Sequence, residues 1–194
     1  MATLVYLHGF NSSPQSHKAQ ILGKHMAGLG RADSFFCPAL PPRADVAIQI
    51  VEAELARRGA TDLRPLTFVG SSLGGFYATW LAEKHASRAV LINPAISPHV
   101  GLRAYLGVQQ NLYTGEQYEL TEEHVRQWER LWCPVITPSR YLLMVESGDE
   151  VLDYRDAVAR YQGAEQIVVQ GGDHMFQSFP EHLPRLLEFA SLAD

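Results

Sequence analysis

Short, almost wholly apolar runs recur along this chain, each bounded by Gly, Pro, Asn or Asp: residues 3–7, 34–37, 65–70, 89–92, 141–146 and 166–170. A strand that is apolar on both sides needs cover on both sides, as a central strand of a parallel sheet has. Helical patterns lie between these runs. Ser13-Pro14 can cap and open a helix with Ala19, Leu22, Met26 and Leu29 on one face, stopping near Gly28 or Gly30. Asp45 can cap a second, carrying Ile48, Val51 and Leu55 and ending at Gly59. Tyr77, Trp80, Leu81 and Lys84 follow on a third. Residues 153–161 give a fourth, closed by Gly163, and residues 180–192 the last, with Leu183, Leu186, Leu187 and Ala190 at helical spacing. Such alternation, joined by right-handed crossovers, means an α/β fold. We expect one domain over residues 1–194, with a mostly parallel sheet of about six strands flanked by helices. The expected order puts the second strand at one edge, followed by the first, third, fourth, fifth and sixth.

One stretch breaks the rhythm. Residues 97–138 contain no convincing strand, apart from a brief pairing near 118–120, and one helix starting near Thr121 with Val125, Trp128, Leu131 and Trp132 on its apolar face. An insertion of this length is often a lid or binding region. We read it as a short helical lid; a structural flap over one sheet edge is the alternative. Its Tyr105, Leu106, Tyr113, Trp128 and Trp132 either shape an apolar acyl pocket or form a small core of their own.

Composition removes several classes. Of 194 residues, 16 are Lys or Arg and 21 are Asp or Glu, giving a net charge of −5. No basic stripe suggests a nucleic-acid partner. The longest apolar run, residues 141–145, is far below the ~18 residues of a membrane span. No basic stretch precedes the short apolar run of Met1-Ala2-Thr3-Leu4-Val5-Tyr6-Leu7, so a secretory signal is not expected. Cys37 and Cys133 each precede a proline and form no C-x-x-C pair. Two half-buried thiols suit a reducing cytoplasm, which is the expected location.

Gly70-Ser71-Ser72-Leu73-Gly74 matches G-x-S-x-G where a strand ends and a helix begins. A chain of this composition would show that pattern by chance at only about 0.07 places. Sharp turns need small neighbours, and a helix N-terminus behind the serine favours developing negative charge. A phosphate loop is the competing reading, but no P-loop lysine and no G-x-G-x-x-G accompany it. A serine hydroxyl needs a base, and the base needs a carboxylate to orient it. His174, in Gly171-Gly172-Asp173-His174, follows the last expected strand, and Asp149, in Gly148-Asp149-Glu150, follows the one before. The order Ser72, Asp149, His174 is that of the α/β-hydrolase triad. Glu146, Glu150 and Asp153 compete with Asp149 for the acid, and Asp153 better suits a helix cap. His17, His25, His85, His124 and His182 fall on expected helices as solvated or half-buried rings, and His99 could face the pocket.

His8-Gly9-Phe10 follows the first strand. There the backbone N–H groups of Phe10 and Leu73 would form an oxyanion hole, with Gly9 letting the backbone pass close to the substrate. His8 is expected to hold this loop by hydrogen bonds, while Asn11, Ser12 and Ser13 either line a pocket or serve as turn and cap. Candidate pocket residues are His8, Gly9, Asn11 and Tyr113.

Together with Leu40-Pro41-Pro42, Asn93-Pro94-Ala95, Tyr113-Thr114-Gly115-Glu116-Gln117-Tyr118 and the stretches 6–14, 69–75, 77–81, 147–154 and 171–176, these motifs carry a resemblance that runs nearly end to end. The sequence resembles the YqiA-like esterase family of small bacterial α/β-hydrolases. The resemblance implies a cytoplasmic esterase or thioesterase with Ser72, Asp149 and His174 as its triad. Larger α/β-hydrolases carry two strands before the H-G strand that this chain starts with, which bears on its sheet edge and on whether it is a monomer or a small homo-oligomer. The expected activity is hydrolysis of a small-molecule acyl ester or thioester through an acyl-enzyme, with no metal and no cofactor. A peptidase, a carbon–carbon hydrolase and a non-catalytic binding member of the fold are the alternatives.

Overall fold

The structure is a computed structural model that describes residues 3–59 and 65–192. Met1 and Ala2 of the amino-terminal stretch, and the last two residues of the expected domain, lie outside the described residues.

Six strands form one sheet: β1 (Thr3–Leu7), β2 (Phe35–Phe36), β3 (Leu66–Ser71), β4 (Arg88–Ile92), then β7 (Tyr141–Glu146) and β8 (Glu165–Val169), which follow an insertion containing β5 (Gly107–Gln110) and β6 (Gln117–Leu120). The order is β2-β1-β3-β4-β7-β8, as expected, and every pairing is parallel. Side chains alternate along each strand and therefore separate into two cores. Val5, Leu7, Phe68, Leu91, Leu143 and Val145 face α2 (Ala44–Arg57), α3 (Leu73–His85) and α6 (Tyr154–Arg160). Leu4, Tyr6, Val69, Val90, Leu142 and Met144 face α1 (His17–Gly28) and α7 (Phe179–Phe189). β2 is only two residues long because a 3₁₀ turn over Ala32–Ser34 precedes it and Pro38, which has no N–H to donate, follows soon after.

Several helix boundaries differ from the sequence reading. Ser13 accepts the Gln15 N–H at 3.0 Å in a turn of its own, so α1 opens three residues later, after Ser16. Leu29 lies beyond its end and is exposed. Asp45 sits inside the first turn of α2, where its carboxylate still accepts the Val46 N–H. Asp153 caps α6 as expected.

The insertion is not simply helical. It holds a short helix α4 (Pro98–Gly101), the antiparallel hairpin of β5 (Gly107–Gln110) and β6 (Gln117–Leu120), and α5 (Glu122–Leu131). The brief pairing expected near 118–120 is β6; both strands alternate in exposure instead of being apolar throughout, so a search for apolar runs passes over β5. α5 begins at a capping box in which Thr121 and His124 satisfy each other's backbone N–H groups.

Candidate active site

Parallel pairing brings the carboxyl ends of β1, β3, β4, β7 and β8 to one edge, and their ladder continues into the loops. Ser72 N–H donates to the Ile92 carbonyl at 3.1 Å, Asn93 N–H to Met144 at 2.9 Å, Ser147 N–H to Val169 at 2.9 Å and Gly148 N–H to Gly171 at 2.7 Å. In an open α/β sheet this edge is where ligands bind.

Ser72 stands between β3 and α3 with φ 55° and ψ −123°, a conformation that an L-residue keeps only when its surroundings enforce it. Glycines provide the enforcement. A Cβ at Gly70 would overlap the Gly74 carbonyl, and one at Gly74 would overlap the Leu7 carbonyl, so strand, turn and helix touch backbone to backbone. The G-x-S-x-G spacing is thus a packing requirement.

Ser72 Oγ lies 3.1 Å from His174 Nε2, and His174 Nδ1 lies 2.8 Å from Asp149 Oδ2 and 3.0 Å from Oδ1. An ionised carboxylate only accepts, so Nδ1 carries the proton and Nε2 is left to accept from the serine. The Asp149 carboxylate is buried, its side chain only 1% exposed. Burial by itself would raise its pKa, but hydrogen bonds from His174 and from the Leu152 and Val151 N–H groups outweigh this and hold it below the usual carboxylate value.

The competing acids are elsewhere. Glu150 accepts the backbone N–H of His174 at 3.0 Å. Glu146 is buried under the histidine loop, accepting from Asp173 N–H at 2.8 Å and from the Ser178 N–H and hydroxyl at 3.1 and 2.6 Å. Desolvation opposes its charge, but these donors prevail and its pKa is lowered. Asn93, at positive φ, spans the same gap: its amide donates to the Asp173 and His174 carbonyls and its oxygen accepts the Glu146 N–H. Neither role is visible in the linear sequence.

The His8-Gly9-Phe10 loop runs against the serine; a Cβ at Gly9 would sit 3.2 Å from Ser72 Cβ. Leu73 is the first residue of α3, so its N–H has no partner within the helix. His8 is buried, accepts the Leu40 N–H on Nε2 at 3.0 Å and donates from Nδ1 to the Gly9 carbonyl at 3.1 Å. Burial lowers its pKa, in keeping with a neutral ring that holds the loop.

Two cavities flank this loop and share Gly9, Phe10 and Ser12. The smaller, about 50 Å³, is lined by His8, Asn11, Leu40, Leu73, Tyr77 and Tyr118, among others. The larger, about 190 Å³, contains Ser72 and His174 and is bounded by Tyr6, Lys18, Leu112 and Tyr113. The candidate pocket residues therefore divide: Tyr113 reaches the serine's cavity, Gly9 touches both, and His8 and Asn11 lie on the far side. The apolar set proposed for an acyl pocket also divides. Trp128 is fully buried and donates to the Tyr77 hydroxyl at 2.8 Å, whereas Tyr105, Leu106 and Trp132 are surface-exposed. Only Tyr113 of those five lines the serine's cavity. His99 packs edge-on against Trp132 instead of facing the cavity, and exposed His17, expected on a helix as a solvated or half-buried ring, lies at the cavity margin.

Lys18 went unnoticed in the sequence. It is buried, donates from Nζ to the Met175 carbonyl at 2.6 Å, and has its pKa lowered by burial to about 8, against the pull of Asp173, Glu146 and Asp149. Its signal was periodic: positions 18, 22 and 26 share one helix stripe, and a lysine on a buried stripe is informative. Cys37 and Cys133 are free and half-buried, with burial pushing the Cys37 thiol up to about 12. Among the described residues, no group of three or more His, Cys, Asp or Glu is placed to hold a metal ion. None of the described helices is long and apolar enough to cross a membrane.

Residues 3–191 match UPF0227, described as an uncharacterised protein family. Relatives span the whole length: a UPF0227 protein of Pectobacterium carotovorum is 28% identical, and the UPF0227 protein YcfP of Salmonella enteritidis 26%, each match covering 97% of this chain and 99% of the relative. Solved structures are similar at lower identity. Est1E of Butyrivibrio proteoclasticus with ferulic acid bound superposes with a TM-score of 0.70 at 13% identity, covering 98% of this chain and 90% of that one. Mouse alpha/beta hydrolase domain-containing protein 10 gives 0.67 at 16%, covering 96% and 88%. A monoacylglycerol lipase of Paleococcus ferrophilus gives 0.64 at 15%, covering 98% and 94%. The fold is that of the α/β-hydrolases.

Proposed function

The chain belongs to the uncharacterised family UPF0227, and we propose that it is a serine hydrolase cleaving carboxylic esters or thioesters of small molecules. One observation carries this reading: a continuous hydrogen-bonded chain from Ser72 through His174 to a buried Asp149, with the serine held at positive φ on the amino end of α3. Such a chain prepares a hydroxyl to lose its proton while attacking a carbonyl.

In the first half-reaction Ser72 Oγ adds to the carbonyl carbon as its proton passes to His174 Nε2. The oxyanion is received by the Phe10 and Leu73 N–H groups, and removal of one such donor typically costs about 3 kcal/mol of barrier. Asp149 stabilises the imidazolium through Nδ1–H. The tetrahedral adduct collapses, His174 returns the proton to the leaving oxygen or sulfur, and the acyl group stays on Ser72. Water then gives a proton to His174 and attacks the acyl carbon; the proton moves to Ser72 Oγ as the acid departs. Residues 97–138, as part of the same domain, serve in this reading as a cover that reaches the site through Leu112 and Tyr113. Est1E with bound ferulic acid and a monoacylglycerol lipase share the fold, and an ester substrate agrees with both.

The test is intact-mass spectrometry after treatment with a fluorophosphonate. One adduct is expected on the wild-type protein and none on Ser72→Ala or His174→Ala. A folded wild-type protein that takes no adduct and turns over no activated ester would overturn the proposal.

A further inference from the structure

The cavity beside Ser72 is lined mostly by apolar surface, with polar groups set into it. Its rim is formed partly by Leu112, Tyr113 and Met175, but deeper positions hold Tyr6, Ser16, Lys18 and Ser71. Two of these polar groups keep hydrogen-bonding capacity to spare. Lys18 is 6% exposed, and its ammonium has three N–H donors, yet the Met175 carbonyl is its one hydrogen-bond acceptor among the described residues. Ser16 Oγ is buried beside the Tyr6 hydroxyl without a well-formed hydrogen bond to it. Buried donors of this kind hold water until a ligand supplies acceptors of its own, and an alkyl group that displaced the water would leave them unsatisfied.

The charge of Lys18 is already countered. Asp173, Glu146 and Asp149 all act on it electrostatically, and among the described residues none forms an ion pair with it. What the ammonium lacks is acceptors, not counter-charge, so a neutral oxygen suits it better than an anion. Buried Tyr6 and Ser71 line the inner end of the cavity, which suits the part of the ester that stays on Ser72, because a leaving group must be able to depart.

Resting on the hydrolase reading, we propose that this cavity is an acyl subsite for short esters whose acyl chain carries a neutral oxygen acceptor, such as a ketone, and that Lys18 and Ser16 read that oxygen. Both are specificity-determining residues that take no part in bond making.

The experiment compares p-nitrophenyl 4-oxopentanoate with 4-methylpentanoate, and 5-oxohexanoate with 5-methylhexanoate. Each pair exchanges a carbonyl oxygen for a methyl group, and rates are corrected for alkaline reactivity. Wild-type kcat/KM should favour at least one oxo ester by about 10-fold or more, since sites built to bond an oxygen discriminate strongly against analogues lacking it. Lys18→Met and, independently, Ser16→Ala should move that ratio towards unity. A wild-type ratio near one for both pairs overturns the proposal. So does a Lys18→Met protein that loses activity equally on both members of a pair, because Lys18 would then only prop the Met175 loop. Ser16→Ala keeps the question open to test if Lys18→Met does not fold. Absence of turnover on all four esters together with absence of a phosphonate adduct would remove the hydrolase reading itself, whereas turnover without discrimination would remove only the subsite.

Discussion

Glu150 Oε2 accepts the backbone N–H of His174 at 3.0 Å, while the neighbouring Asp149 accepts the ring N–H of the same residue at 2.8 Å. Two consecutive carboxylates thus hold one histidine by its main chain and by its ring. Their loss should have unequal effects. Asp149→Asn places an amide where the ring needs an acceptor, favours the wrong tautomer, and is expected to lower kcat by about 10⁴-fold. Glu150→Gln retains an acceptor oxygen and should cost no more than about 10-fold. Steady-state kinetics on an activated ester, with circular dichroism to establish folding, separates the two.

Glu146→Gln should weaken the fold as well as the site. A carboxylate can accept from Asp173 N–H and from both donors of Ser178, whereas a glutamine turns an NH₂ towards one of them. The expected loss is about 1–3 kcal/mol in urea unfolding at pH 7. Its pH dependence has a definite sign. The folded-state pKa of Glu146 lies below 4.5, so its contribution is complete above 4.5 and fades as the pH falls through the lowered value. The gap between wild type and Glu146→Gln should therefore narrow on acidification.

At the elbow, Gly74→Ala should behave differently from Gly9→Ala. A methyl at Gly74 runs into the Leu7 main chain, which cannot yield, so the protein should lose at least the ~1–3 kcal/mol typical of an overpacked core, or fail to fold. At Gly9 the nearest atom is Ser72 Cβ at 3.2 Å. That variant should remain folded and lose turnover, as thermal melts and ester assays together would reveal.

Asn11 ties the Phe10 loop to the hairpin. Its side chain accepts from the Tyr118 hydroxyl at 2.6 Å and donates to Gln109 at 3.2 Å, and its carbonyl accepts the Leu112 N–H at 2.9 Å. Glycine tolerates the φ of 51° found there, so Asn11→Gly removes the side-chain ties without straining the backbone. Faster amide exchange over residues 107–120, with unchanged exchange in β3 and β4, is the expected result.

The sheet was legible because its strands are buried on both faces and so read as continuous apolar runs. The convergence of Ser72, Asp149 and His174 on one edge follows from those runs and from the glycine-rich turns after them, whereas the strand order was expected from the resemblance to α/β-hydrolases. Of the hairpin only the brief pairing near 118–120 was legible; its partner strand was not, since Val108 and Gln109 alternate between exposed and half-buried positions as any loop might. Asn93 and Glu146 escaped for another reason. Each supports the histidine loop across more than twenty residues of sequence, and nothing local to either marks that partnership. Trp128 reads equally well as pocket wall or core from spacing alone; only its contact with Tyr77 decides for core.

The two oxyanion donors proposed here are mounted differently. Leu73 belongs to a helix wedged against the sheet by Gly70 and Gly74, while Phe10 belongs to a loop tied through Asn11 and Ser12 to a surface hairpin. One jaw of this clamp is fixed and the other is adjustable. Drift in the hairpin can therefore retune how the site grips a carbonyl while the serine, histidine and aspartate stay untouched, giving selection a dial remote from the machinery that it adjusts.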